Sequence, residues 1–113
     1  MSDPTVVLSF KDIPHSDRVE EVVERRCALL AAEFPETTRF EVTLAPEGAG
    51  ISAHGHVTGR HTDVSGQAEG DQPGEAADRL LDQLERSLRK LHDKNIFKNR
   101  REARKNESKR HTG

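Results

Sequence analysis

The chain has no tryptophan and no tyrosine, and only four phenylalanines in 113 residues. Any core must therefore be built mainly from Val, Leu, Ile and Ala. One cysteine, Cys27, excludes an internal disulfide and fits a reducing compartment. No run of about 18 apolar residues is present, which excludes a membrane-spanning helix. The N-terminus lacks the basic, apolar, small-residue order of a signal peptide, so the expected location is cytoplasmic. Ser9, Ser16 and Ser65 sit in no nucleophile elbow, and Gly48-Ala49-Gly50 is not followed by a helix as a phosphate loop would be. No catalytic residues are visible, and no enzyme, cofactor, small-molecule substrate or membrane partner is expected.

What is present is charge. Hydrophobic residues make up 32% of the chain and charged residues 34%, which allows one domain with a single modest core. The formal net charge of −2 conceals a division. Residues 1–78 carry six Lys and Arg against fifteen acids, a net −9, and residues 79–113 carry twelve against five, a net +7. An asymmetry of this size marks a polyanion-binding end, or else a solvated helix followed by a polar tail.

Periodicity supplies the elements. Thr5 to Phe10 is short, β-branched and apolar, and reads as a strand. After Pro14, Asp17 with Glu20 suggests a capping box, and Val19, Val22, Val23, Leu30 and Phe34 share one helical face up to Pro35. Arg26 falls inside this apolar stripe, which requires it to snorkel or to meet a partner. Phe40, Val42 and Leu44 alternate with polar residues as a second strand, and Pro46 to Gly50 is expected to turn. Ile51, Ala53, Gly55 and Val57 form a third strand, Gly59 and Arg60 a turn, and Val64 to Gly70 a weak fourth strand of small residues. Asp71 is a candidate cap for a second helix opening at Pro73. Ala77, Leu80, Leu81, Leu84, Leu88 and Leu91 line one face of it to about Lys94.

The predicted class is α+β in the order β-α-β-β-β-α, a four-stranded sheet with two helices on one face. The expected division is a domain over 1–94 and a basic, mobile tail over 95–113.

On the second helix Arg79, Arg86, Arg89, Lys90 and Lys94 lie away from the leucine stripe. The cations continue through Lys98, Arg100, Arg101, Arg104 and Lys105 to Lys109 and Arg110. Such a track can neutralise successive RNA phosphates. Asp82 with Arg86 and Glu85 with Arg89 also stand at i,i+4 and could simply pair along an exposed helix. His54 and His56 share a strand face with His61 beyond the turn, but nothing completes a zinc ligand set. They read as solvated side chains, with no metal. Cys27 reads as a small core residue.

The run Leu84-Glu85-Arg86-Ser87-Leu88-Arg89-Lys90-Leu91 resembles the second-helix signature of the ribosome hibernation-promoting factor and ribosome-associated inhibitor family, also called the sigma-54 modulation protein family. There a Lys-Leu-Glu-Arg-Gln-Leu-x-Lys run is typical. Lys11-Asp12-Ile13 and Ala76-Ala77-Asp78 also stand at comparable places, and the resemblance covers residues 5–94. It implies a fold similar to double-stranded-RNA-binding domains. It also implies binding to 16S-type rRNA of the small ribosomal subunit near the decoding region, stabilising or inhibiting idle ribosomes in stress-linked translation regulation. With its last residue at 113, the chain is similar to the short type. Gln72 and Gly74 stand where the family usually has Asp and Tyr, and Leu29-Leu30-Ala31-Ala32 where it commonly has lysines. The alternative is a diverged paralogue acting as a protein-interaction module through its acidic face.

Overall fold

The computed structural model describes residues 4–112, and side chains over 4–96. Six elements follow in order: β1 (Thr5–Phe10), α1 (Asp17–Glu33), β2 (Thr37–Glu47), β3 (Gly50–Gly59), β4 (Thr62–Gly70) and α2 (Pro73–Thr112). The strands lie in sequence order in one sheet; β1 is parallel to β2, and the other two pairs are antiparallel. A parallel pair needs a crossover, and α1 supplies it. The expected α+β architecture is the one observed.

The cap of α1 differs from expectation. Ser16, not Asp17, is the N-cap: its backbone is extended, and its Oγ accepts from the Val19 amide at 3.3 Å. Asp17 and Glu20 occupy the first turn, where their charge suits the positive helix end. At the other end the Phe34 amide closes the helix on the Leu30 carbonyl at 2.7 Å. Val23, Cys27, Leu30 and Phe34, spaced i, i+4, i+7 and i+11, are buried. Val22 lies off this line and is 37% exposed, a departure from the expected stripe.

The β2–β3 hairpin is tighter than the predicted Pro46–Gly50 turn. β2 runs to Glu47, Pro46 pairs with Ile51, and Gly48 takes φ +59° in a two-residue loop. Proline is tolerated there because β1 has already ended: its last residue, Phe10, is level with Leu44, so no neighbour waits for an amide at position 46. α2 begins at Pro73 with the Ala76 amide bonded to the Gln72 carbonyl, so Asp71 lies outside the cap position. The helix continues to Thr112, past the boundary placed at residue 94. Of the tail expected over 95–113, the side chains from residue 97 on lie outside the described ones.

Both helices pack on one sheet face. Phe40, Val42, Leu44, Ala53 and Val57 meet Leu80, Leu81, Leu84 and Leu88 of α2 and Val23, Cys27 and Leu30 of α1. The small residues of β3 and β4 are what lets α2 sit so close. A Cβ at Gly55 would lie 2.9 Å from both Leu80 Cδ2 and Leu84 Cδ1, and one at Gly66 would lie 2.4 Å from Gln83 Oε1.

Burial pushes the Cys27 thiol up to about 12 from 9.0, with Arg26 opposing. The folded state thus holds the thiol proton over a pH range in which the unfolded chain releases it. Stability is full below pH 9 and is lost as pH rises toward 12, on the order of 1 kcal/mol per pH unit at most. Denaturant titrations at pH 8 and pH 10.5 are expected to show this loss in the native chain and a smaller one in Cys27→Ala. Equal losses in the two would refute it.

Candidate nucleic-acid interface

The basic residues of α2 are placed by its leucines. With Leu80, Leu84 and Leu88 at 1% exposure or less, the opposite side of the helix must face solvent. Arg79, Arg86, Arg89, Lys90 and Lys94 are all exposed there. Their roles divide once partners are counted. Arg79 donates to the Glu69 carbonyl of β4 at 2.9 Å and pairs with Glu75 at 2.7 Å. Arg89 reaches across to Glu33 at the end of α1, also at 2.7 Å. Both are engaged in holding α2 against the rest of the domain.

Arg86, Lys90 and Lys94 have no ion pair among the described residues. They are spaced by four residues, which sets successive Cα atoms about 6 Å apart along the axis on one side of the helix. Exposed cations in such a row suit contact with a phosphate backbone, since each can approach an anion without first giving up a described protein partner. Lys98, Arg100, Arg101, Arg104 and Lys105, expected to prolong the row, lie outside the described side chains.

The expected i,i+4 pairs, Asp82 with Arg86 and Glu85 with Arg89, are not formed. The reason is α1. Arg26, the cation inside the apolar stripe, is only 26% exposed and binds Asp82 at 2.7 Å, with further contacts to the Asp78 carboxylate at 3.6 Å and carbonyl at 3.2 Å. Asp82 is thereby drawn away from Arg86. Lower down, His92 Nδ1 lies 3.0 Å from Glu36 and its ring meets Phe34 edge-on at 5.8 Å. The partner that Arg26 required is α2 itself.

Other surfaces offer less to an RNA. The open face of the sheet carries Thr5, Val7 and Ser9 of β1, Arg39, Glu41 and Thr43 of β2, and His54 and His56 of β3. It holds no phenylalanine on which a base could stack. Acids further disfavour it: Glu41 pairs with Arg39 at 2.9 Å, and Asp63 lies 2.6 Å from His56. His54, His56 and His61 form no common ligand group among the described residues. The group that does converge was missed by sequence reasoning, though its His-x-Asp-x-x-Glu spacing is legible. It is His15, Asp17 and Glu20, with ligand atoms within 4.8 Å of one another. It stands exposed at the first turn of α1, where acids are common without a metal. No described helix is long and apolar enough to cross a membrane.

The family described as Sigma 54 modulation protein / S30EA ribosomal protein matches residues 6–96, from the second residue of β1 through the rest of the sheet and α1 and into α2 as far as Ile96. The chain belongs to this family. The S30EA family is one of ribosome-associated proteins and not of enzymes. Among solved structures, a ribosomal subunit interface protein from Coxiella burnetii is similar at 17% identity. The match covers 79% of this chain and 98% of that one with a TM-score of 0.68. The N-terminal domain of Protein Y from Thermus thermophilus is similar at 21% identity, covering 80% and 99%, also with a TM-score of 0.68. At these identities the two establish a shared S30EA fold. No curated protein matches the sequence.

Proposed function

We propose that this S30EA-family chain binds 16S-type rRNA of the small ribosomal subunit near the decoding region through α2, and so stabilises or inhibits idle ribosomes. The observation that carries the reading is the row Arg86, Lys90 and Lys94, exposed and without ion-pair partners among the described residues while neighbouring cations are tied to acids. Family membership supplies the ribosome, and the +7 charge of residues 79–113 supplies the polyanion preference. The basic residues at 98, 100, 101, 104 and 105 extend the track in the sequence. The acidic remainder of the chain restricts the contact to this side by repulsion.

Co-sedimentation with purified small subunits tests the proposal. Binding is expected at low salt and is expected to weaken as salt rises. Three phosphate contacts correspond to a slope of about −2 to −3 in log K against log salt, and a longer track to a steeper one. Removing residues 95–113 is expected to make the slope shallower. Absence of pelleting at low salt would overturn the proposal and favour a protein-interaction module on the same fold.

A further inference from the structure

The two edges of the sheet are finished differently. β4 is closed by α2: Gln83 Oε1 accepts from the Gln67 amide at 2.8 Å, and Arg79 donates to the Glu69 carbonyl at 2.9 Å. β1 has no such cover among the described residues. The Lys11 amide donates to the Leu44 carbonyl at 2.8 Å, which fixes the phase of the β1–β2 ladder. Because backbone groups alternate sides along a strand, Thr5, Val7 and Ser9 then point their N–H and C=O groups at β2. Those of Val6, Leu8 and Phe10 point outward, away from the sheet.

β1 also lacks the devices that usually blunt an edge. Thr-Val-Val-Leu-Ser-Phe contains no charge and no proline, and its register with β2 runs without a bulge. Beside it lies a groove of about 370 Å³ lined by Pro4, Val6, Glu24 and Ala28. Glu20 is occupied by His15 and Glu21 by Arg25, but Glu24 is exposed and has no ion-pair partner among the described residues. An unpaired backbone edge, an apolar groove wall and an unneutralised carboxylate therefore stand together, on the opposite edge of the sheet from the one α2 closes.

We propose that the β1 edge is a docking site for an extended cationic peptide, which joins the sheet as a fifth strand and sets a Lys or Arg against Glu24. Main-chain bonds to Val6, Leu8 and Phe10 provide the attachment, as in strand addition generally. Residues two apart on a strand share a face, so the peptide needs an apolar side chain over Val6 and a cation two positions along it. The negative charge of residues 1–78 favours such a partner over an acidic one. The site is separate from α2, and its failure would leave the ribosome reading untouched.

The test is amide hydrogen exchange on the full chain, followed by NMR, with the probe acetyl-Thr-Val-Thr-Lys-Thr-Val-amide at millimolar concentration. Exchange at Val6, Leu8 and Phe10 is expected to slow by about tenfold or more, with no change at Thr5, Val7 and Ser9. A probe with Glu in place of Lys is expected to have no effect, and Glu24→Lys is expected to reverse the preference. Three results would each overturn the proposal: no slowing at the outward amides, equal slowing by both probes, or slowing without a probe that grows with protein concentration. The last would mean that a second copy occupies the edge.

Discussion

Replacing Arg86, Lys90 and Lys94 together by Glu is expected to abolish pelleting with small subunits while leaving the domain folded. Three cations become three anions, a change of six charge units on one exposed strip of α2. Each lost phosphate contact weakens binding irrespective of base sequence and removes about one unit from the salt slope. Losses on the order of 1 kcal/mol per contact, with repulsion added, combine to at least ~100-fold. The fold is spared because none of the three side chains has an ion pair among the described residues, and exposed substitutions of this kind usually stay within about 0.5 kcal/mol each. Arg79→Ala and Arg89→Ala are the informative contrasts. Their side chains serve Glu69, Glu75 and Glu33, so their loss should lower the melting temperature more than it lowers binding. Co-sedimentation beside thermal melts checks both statements. A triple variant that pelleted like the native chain would remove this face from the interface.

The element order and the side each helix buries were legible because they follow from periods of 2 and 3.6, which are properties of the sequence alone. The cap at Ser16 was not, since Ser16 and Asp17 are both good capping residues and only the backbone decides between them. The i,i+4 pairs failed for a different reason. Asp82 has two possible cations, Arg86 on its own helix and Arg26 on α1, and the second is the less solvated. An attraction screened less by water wins, and that comparison needs the packing of α1 on α2. The weak look of β4 has the same origin: its glycine at 66 is not a deficiency but clearance for Gln83. Family membership, the fold and the basic strip could all be read from residues 5–94. The division of that strip into anchoring and available cations could not.

The second large effect tests the contact that orients the strip. Leu84 is fully buried, and its Cδ1 stands where a Cβ on Gly55 would be 2.9 Å away. Leu84→Ala removes that packing and leaves a cavity, for a loss of about 2–5 kcal/mol. A domain of this size has total stability of roughly 5–15 kcal/mol, so the variant should unfold at markedly lower urea. Gly55→Ala acts from the other side. It forces its methyl group against Leu80 and Leu84 together, and overpacking of this kind costs about 1–3 kcal/mol. Combined, the two changes should interfere: the alanine at 84 vacates part of the space the new methyl group needs. The double variant is then expected to be more stable than the sum of the single losses by about 1 kcal/mol, Leu80 keeping the rescue incomplete. Urea titrations of the four proteins give this coupling directly. Strict additivity would mean that α2 does not rest on Gly55, and with that contact gone the direction in which Arg86, Lys90 and Lys94 point would lose its structural basis.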